Sequence, residues 1–115
     1  MNKRSVGNKL EDFIVDRIRE IEPRCRRTKN SGASTELEDI LSSFFMVQCK
    51  VDNTHENIII KQADWRKLFN ALPINSKRIP LFVNQNKSGT VSITLSDADF
   101  FRLVYRCFNA TGELS

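Results

Sequence analysis

Apolar residues recur over residues 8–21 at Leu10, Phe13, Ile14, Val15, Ile18 and Ile21. That spacing follows the helical period and predicts a helix with one broad apolar face. Pro23, which has no N–H and clashes with the preceding turn, ends it. Residues 1–6 read as a frayed leader. Residues 24–36 are polar and contain Asn30-Ser31-Gly32, a loop signal. Residues 37–41 and 44–51 read as two strands joined by a Ser42-Ser43 turn, and residues 58–60 as a further short strand. Residues 62–72 predict a helix with Trp65, Leu68, Phe69 and Leu72 on one side, stopped by Pro73. An apolar strand follows at 79–84, then turn chemistry at Lys87-Ser88-Gly89 and an alternating strand at 90–95. Ser96-Asp97-Ala98-Asp99 has the form of a helix N-cap with acids in the first turn. The last helix runs to about Phe108, with Phe100, Leu103, Val104 and Cys107 inward, and residues 109–115 form a polar tail.

The order is therefore α-β-β-β-α-β-β-α, which implies a mixed sheet flanked by helices in an α/β (α+β) arrangement. At 115 residues the chain is expected to form one domain, 1–115. No apolar run approaches the ~20 residues of a membrane span. The amino-terminal sequence turns charged too early for a secretory signal.

Charge changes the picture more than composition does. Residues 1–30 hold nine basic and five acidic residues, whereas residues 31–115 hold nine of each, so the whole net charge of +4 lies in the first quarter. Arg24, Arg26, Arg27 and Lys29 form the densest part, suited to phosphate contact through charge neutralisation. The three cysteines, Cys25, Cys49 and Cys107, are odd in number and not in Cys-x-x-Cys spacing. A disulfide framework or a zinc site is thus not expected, and the cysteines read as reduced residues of a cytosolic protein. With His55 the sole histidine, Ser-His or Cys-His catalysis has little to build on.

Two features carry candidate chemistry. A two-residue Ser42-Ser43 turn would set Leu41 opposite Phe44 and Asp39 opposite Met46. Asp39, Gln48 and Lys50 would then share one sheet face, with Asp39 and Gln48 diagonal neighbours. A hard cation such as Mg²⁺ takes oxygen ligands, which Asp39, the Gln48 amide and the Cys49 backbone carbonyl supply. Lys50 would stand beside a metal-bound water, to orient or deprotonate it or to stabilise charge on a phosphate. The second feature is Glu11, a carboxylate at the edge of the apolar helix face, where an acid needs a metal or cationic partner. On spacing alone the plainer readings stay open. Asp39 is then a hairpin-edge acid, Gln48 and Lys50 are exposed strand positions, and Glu11 pairs with Lys9 or Arg17.

The order of these pieces resembles the PD-(D/E)XK nuclease superfamily. Gly7-Asn8-Lys9-Leu10-Glu11 opens a helix; a basic segment, Asn30-Ser31-Gly32-Ala33-Ser34, Asp39-Ile40 and Phe45-Met46-Val47-Gln48-Cys49-Lys50 follow. Within that superfamily the chain is most similar to Holliday-junction resolvases of the archaeal Hjc type and their phage-encoded relatives, over about residues 7–108. The resemblance implies a restriction-endonuclease-like fold and a Mg²⁺-dependent endonuclease (Mn²⁺ as substitute) acting on branched DNA. It also implies a homodimer, with Phe100, Phe101 and Phe108 as candidate interface, and a cytoplasmic setting, that of the host if phage-encoded. Glu11 matches the helix-one acid, Asp39 the metal aspartate, Gln48 the glutamate position and Lys50 the lysine. Arg27 and Ser31 match an arginine and a serine near the scissile phosphate. Two departures stand out: Glu38 replaces the motif proline, and Gln48 replaces a glutamate. The second keeps an oxygen donor and loses a charge, so metal affinity should fall unless Glu11, Glu36 or Glu38 compensates. Two other functions follow if the site has lost activity or never had it: a non-catalytic DNA-binding or regulatory module, and a protein–protein adaptor with an incidental basic loop.

Overall fold

The structure is a computed structural model, and it describes residues 3–28 and 39–111, with side chains from Lys9 to Ala110. Lys29, Ser31, Glu36 and Glu38 lie outside the described residues. Three helices and five strands follow in the order α1 (Lys3–Ile18), β1 (Arg26–Arg27), β2 (Ile40–Leu41), β3 (Phe45–Val51), α2 (Gln62–Ala71), β4 (Ile79–Gln85), β5 (Val91–Thr94) and α3 (Asp97–Thr111). The strands form one mixed sheet in sequential order. β3 and β4 are parallel over seven residue pairs, from Phe45 with Ile79 to Val51 with Gln85, and the other three pairings are antiparallel.

Side-chain alternation along β3 and β4 divides the core in two. Val47, Ile79, Leu81 and Val83 pack with Leu10, Ile14, Val15 and Ile18 of α1. Met46 and Phe82 face the other way and pack with Leu68 of α2, where the Trp65 ring stacks on Phe82 at a centroid distance of 5.2 Å. Parallel neighbours need a crossover, and α2 provides it. α3 lies on the α1 side and reaches that core through Leu103, which is only half-buried. Ser96 caps α3: its hydroxyl accepts from the Asp99 N–H at 3.1 Å and donates to the Asp99 carboxylate at 2.8 Å.

Several expectations need correction. Helix α1 begins at Lys3, inside the segment expected to be a leader, and ends at Ile18. Past that end, the Ile21 and Glu22 N–H groups close on the Ile18 carbonyl in a final turn before Pro23. Residues 58–60 form no strand: Ile59 is exposed and Ile60 packs beside α2. The third amino-terminal strand is instead Arg26–Arg27, expected as loop. Phe100 and Cys107 of α3 are exposed and not inward.

The register of β2 on β3 also differs. Ile40 pairs with Val47, two residues away from the pairing a two-residue turn would give. The cause is a contact twenty residues back in the chain. The Ser42 hydroxyl donates to Glu22 Oε1 at 2.6 Å and accepts the Phe44 and Phe45 N–H groups, both at 3.1 Å. The Ser43 N–H donates to Glu22 Oε2 at 2.7 Å. A wider connection held by these bonds replaces the tight turn. Burial would raise the Glu22 pKa, but the hydrogen bonds from Ser42, Ser43 and Phe44 outweigh it and hold the carboxyl below its ordinary value.

Removing the Ser42 hydroxyl strands two N–H donors and a carboxylate, so Ser42→Ala should cost about 1–2 kcal/mol in urea unfolding. The Glu22 contribution is present above the ordinary carboxylate pKa of about 4.3 and is lost as pH falls through its lowered folded value. Glu22→Gln should therefore lower stability at neutral pH and flatten the acid limb of the stability profile. An unchanged acid limb would show that Glu22 does not set this loop.

Candidate metal and phosphate site

Asp39 stands just before β2 and joins three segments. Its N–H donates to the Val47 carbonyl at 2.9 Å, and its carbonyl accepts from the Thr28 N–H at 3.1 Å. Its Oδ2 accepts from the Cys49 N–H at 2.8 Å. The carboxylate thus takes the place of a ladder carbonyl at the edge of β3. The N–H and C=O of one strand residue point to the same side, so the Cys49 carbonyl opens on this edge too. Burial pushes the Asp39 pKa up, and the bond from Cys49 only partly offsets it.

Glu11 is 6% exposed, one position along α1 from the core residue Leu10. The Cys49 thiol is driven far above its ordinary pKa, first by burial and then by the negative charges of Asp39 and Glu11. One strand residue thus lies within the field of both acids. Arg27 is the neighbouring cation. Its Nε lies 3.0 Å from Asp12 Oδ1, and a terminal nitrogen lies 3.9 Å from Glu11 Oε2.

The structure thus brings together Glu11, Asp39, the Cys49 main chain and Arg27. Gln48 and Lys50 are placed differently. They alternate with Cys49 and share the Met46 face, towards α2. Lys50 Nζ lies 3.8 Å from Asp64 Oδ2 in the first turn of α2, and the lysine side chain is 63% exposed. Such a pair is worth little and releases its amine readily. Asp39 lies outside β2 and its N–H bonds the Val47 carbonyl, so Gln48 is the next residue along β3 from that bond, with its side chain leaving from the face opposite to that of Cys49. Arg24 and Arg26 are exposed. Arg27, grouped with them by sequence, turns inward to the acids, as alternation along β1 requires.

Among the described residues, no three His, Cys, Asp or Glu side chains gather as a metal-binding group. The Asp39 carboxylate and the Cys49 carbonyl at one strand edge, with the Glu11 carboxylate in electrostatic reach of Cys49, offer oxygen donors only, which suits a hard cation that keeps several waters. A burial-raised carboxyl such as Asp39 is also what a cation would relieve. The Arg27 link to Glu11 and Asp12 escaped the sequence reading, since arginine runs carry no sign of which member turns inward. Asn84 also escaped it. Its only signal is a polar residue closing the apolar run Ile79-Pro80-Leu81-Phe82-Val83.

The Cys49 environment gives a direct check. In the native protein Cys107, which is exposed, should react first with a thiol reagent, while Cys25 and Cys49 react slowly. Asp39→Ala removes one negative neighbour and the bond to the Cys49 amide, so it should speed Cys49 labelling several-fold and leave Cys107 unchanged. Equal rates for Cys49 and Cys107 in the wild type would contradict the placement of the two acids.

Compared with protein-family models, with curated proteins and with solved structures, the chain finds no match in any of the three.

Proposed function

We propose that this chain is a metal-dependent DNA endonuclease on a restriction-endonuclease-like fold, acting on branched DNA as Holliday-junction resolvases do. The observation that carries the reading is the Asp39 carboxylate bound to the Cys49 N–H at the edge of β3, with the nearly buried Glu11 carboxylate in electrostatic reach of the same residue. Asp39, Glu11 and the Cys49 carbonyl would hold Mg²⁺, or Mn²⁺ in its place, with Gln48 as a further oxygen donor. The bound ion would supply charge stabilisation on the scissile phosphate and an activated water. Lys50, held only loosely by Asp64, places an amine near the same strand segment to bind phosphate charge. Arg24 and Arg26, exposed beside β1, hold backbone phosphates, and such contacts read shape and not sequence. Paired cuts in a junction need two active sites and hence a homodimer. Phe101 and Tyr105, one turn apart and exposed on α3, are its proposed contact.

A second reading, a DNA-binding module without cleavage, is favoured by one observation. Arg27 already neutralises Glu11 and Asp12, and the position that would add a third acid is Gln48.

Cleavage separates the two. Labelled four-way and linear DNA should show cutting of the four-way substrate that requires Mg²⁺ and is abolished in Asp39→Ala and Glu11→Gln. Binding without cutting, unaffected by chelator, would leave only the second reading. In both readings, affinity should fall steeply with salt, and Arg26→Ala should reduce the slope of log affinity against log salt by about 1.

Gln48 gives an independent check. Gln48→Glu adds a charge on β3 next to Cys49, so it should leave the fold intact and tighten Mg²⁺ binding by about tenfold, or about 1.4 kcal/mol. Titration calorimetry with no change in affinity would remove Gln48 from the donor set.

A further inference from the structure

A cleft of about 510 Å³ opens at the carboxyl ends of the parallel strands β3 and β4, with Cys49 in its lining. Ligands of α/β sheets bind at such strand ends, beside the amino-terminus of the crossover helix. Here that helix is α2. Its N-cap, Lys61, lines the cleft and makes no side-chain cap bond to the first turn. Lys50 adds a second amine. The acid on this wall, Asp52, is already occupied: its carboxylate accepts from the Thr54 N–H and hydroxyl, both at 2.8 Å, and lies 2.9 Å from His55 Nδ1.

Two further features narrow the ligand. Asn84, beside Lys50 in the register, lines the cleft and is 8% exposed, and its buried Oδ1 has no hydrogen-bond partner. The terminal torsion of an amide is soft, so either its oxygen or its nitrogen can be turned to a ligand. Ile58 and Ile59 line the same cleft, and Ile59 is left 71% exposed. A single site thus offers two amines, one of them 3.8 Å from Asp64 Oδ2, a flat aliphatic wall and a nearly buried amide. Its volume lies within the roughly 300–1,000 Å³ of small-molecule pockets.

We propose that this cleft binds one nucleotide unit, with its phosphate at Lys50 and Lys61 and its base on Ile58 and Ile59 beside the Asn84 side chain. The proposal deepens the nucleic-acid reading above, and rests on it for choosing a nucleotide among phosphorylated rings. In the DNA-bound protein the unit would be one nucleotide of the strand that passes the acid site. Asn84 would act as a positioning residue through a single hydrogen bond to the base edge, since one atom of its amide is closed off from the cleft.

Deoxyadenosine monophosphate, titrated into the full chain and followed by amide NMR shifts, tests this. The amides of Lys50, Ile59, Lys61 and Asn84 should shift together and saturate. Adenosine and inorganic phosphate should each bind more weakly than the nucleotide. Asn84→Leu should weaken binding by about tenfold and the exposed Lys61→Ala by about threefold. Lys61→Ala carries the test should Asn84→Leu prove unfolded by its spectrum. Absence of shifts at millimolar nucleotide, shifts confined to other residues, or no effect of Lys61→Ala would overturn the proposal. So would equal binding of phosphate alone, which would make this a plain anion site. Asp39→Ala separates the two claims. It should abolish cutting and leave nucleotide binding unchanged. Loss of nucleotide binding with metal-dependent cutting intact in the wild type overturns this inference alone, and nucleotide binding without any cutting overturns only the endonuclease reading.

Discussion

The parallel pairing of β3 with β4 is the constraint on which the rest of the molecule depends. Seven residues of each strand run in step, and alternation sends Val47 and Val83 to one layer and Met46 and Phe82 to the other. Because parallel strands cannot be joined by a hairpin, the chain must cross over, and the crossover puts α2 on the face that α1 leaves open. The same pairing sets both functional edges. On one side of β3 only Ile40 of β2 is paired, with Val47, so the ladder ends early and Asp39 fills it with a carboxylate. At the carboxyl ends, the crossover leaves a gap before α2 begins, and that gap is the cleft.

Ending a ladder with a side chain has an energetic consequence. A backbone carbonyl would satisfy the Cys49 N–H without burying charge, whereas Asp39 brings a carboxylate into a poorly solvated edge and its pKa rises for that reason. Glu11 repeats the arrangement from α1, nearly enclosed among residues that pack the core. The negative charges of both acids, with burial, keep that thiol protonated. Helix and strand positions of this kind accept Gln or Ser with less electrostatic cost. A folding rationale for both acids is thus weak, and a ligand that gathers negative oxygen accounts for them better.

Much of the scaffold was legible in the sequence because its signals are local. The apolar spacing of Leu10, Ile14, Val15 and Ile18 placed α1 and left Glu11 at the edge of its buried face, and Ser96 with Asp99 marked the start of α3. What escaped depends on contacts between distant segments. The β2–β3 register looked like a matter for Ser42-Ser43 alone, but it is set by Glu22, which holds the loop from the end of α1. Residues 58–60 were apolar enough for a strand, but Ile59 is exposed and Ile60 packs beside α2. Arg26-Arg27 looked too polar for a strand; an edge strand of two residues tolerates that, sending Arg26 to solvent and Arg27 to the acids. That inward turn was the part of the candidate site least visible beforehand, since the two arginines are equivalent in sequence.

Arg27 also decides how the acid site can admit a cation. The 3.0 Å contact is with Asp12, and the one with Glu11, at 3.9 Å, is near the limit of an ion pair. With the Arg27 side chain 38% exposed, the longer contact is worth no more than about 1 kcal/mol. A divalent ion held by Glu11 and Asp39 together carries twice the charge and meets two carboxylates where Arg27 meets one within the site. The ion would therefore win Glu11 while Arg27 keeps Asp12. The arginine would then stand as a tethered cation at the rim, and on the proposed reading one group would serve as counter-ion before binding and as phosphate contact after it.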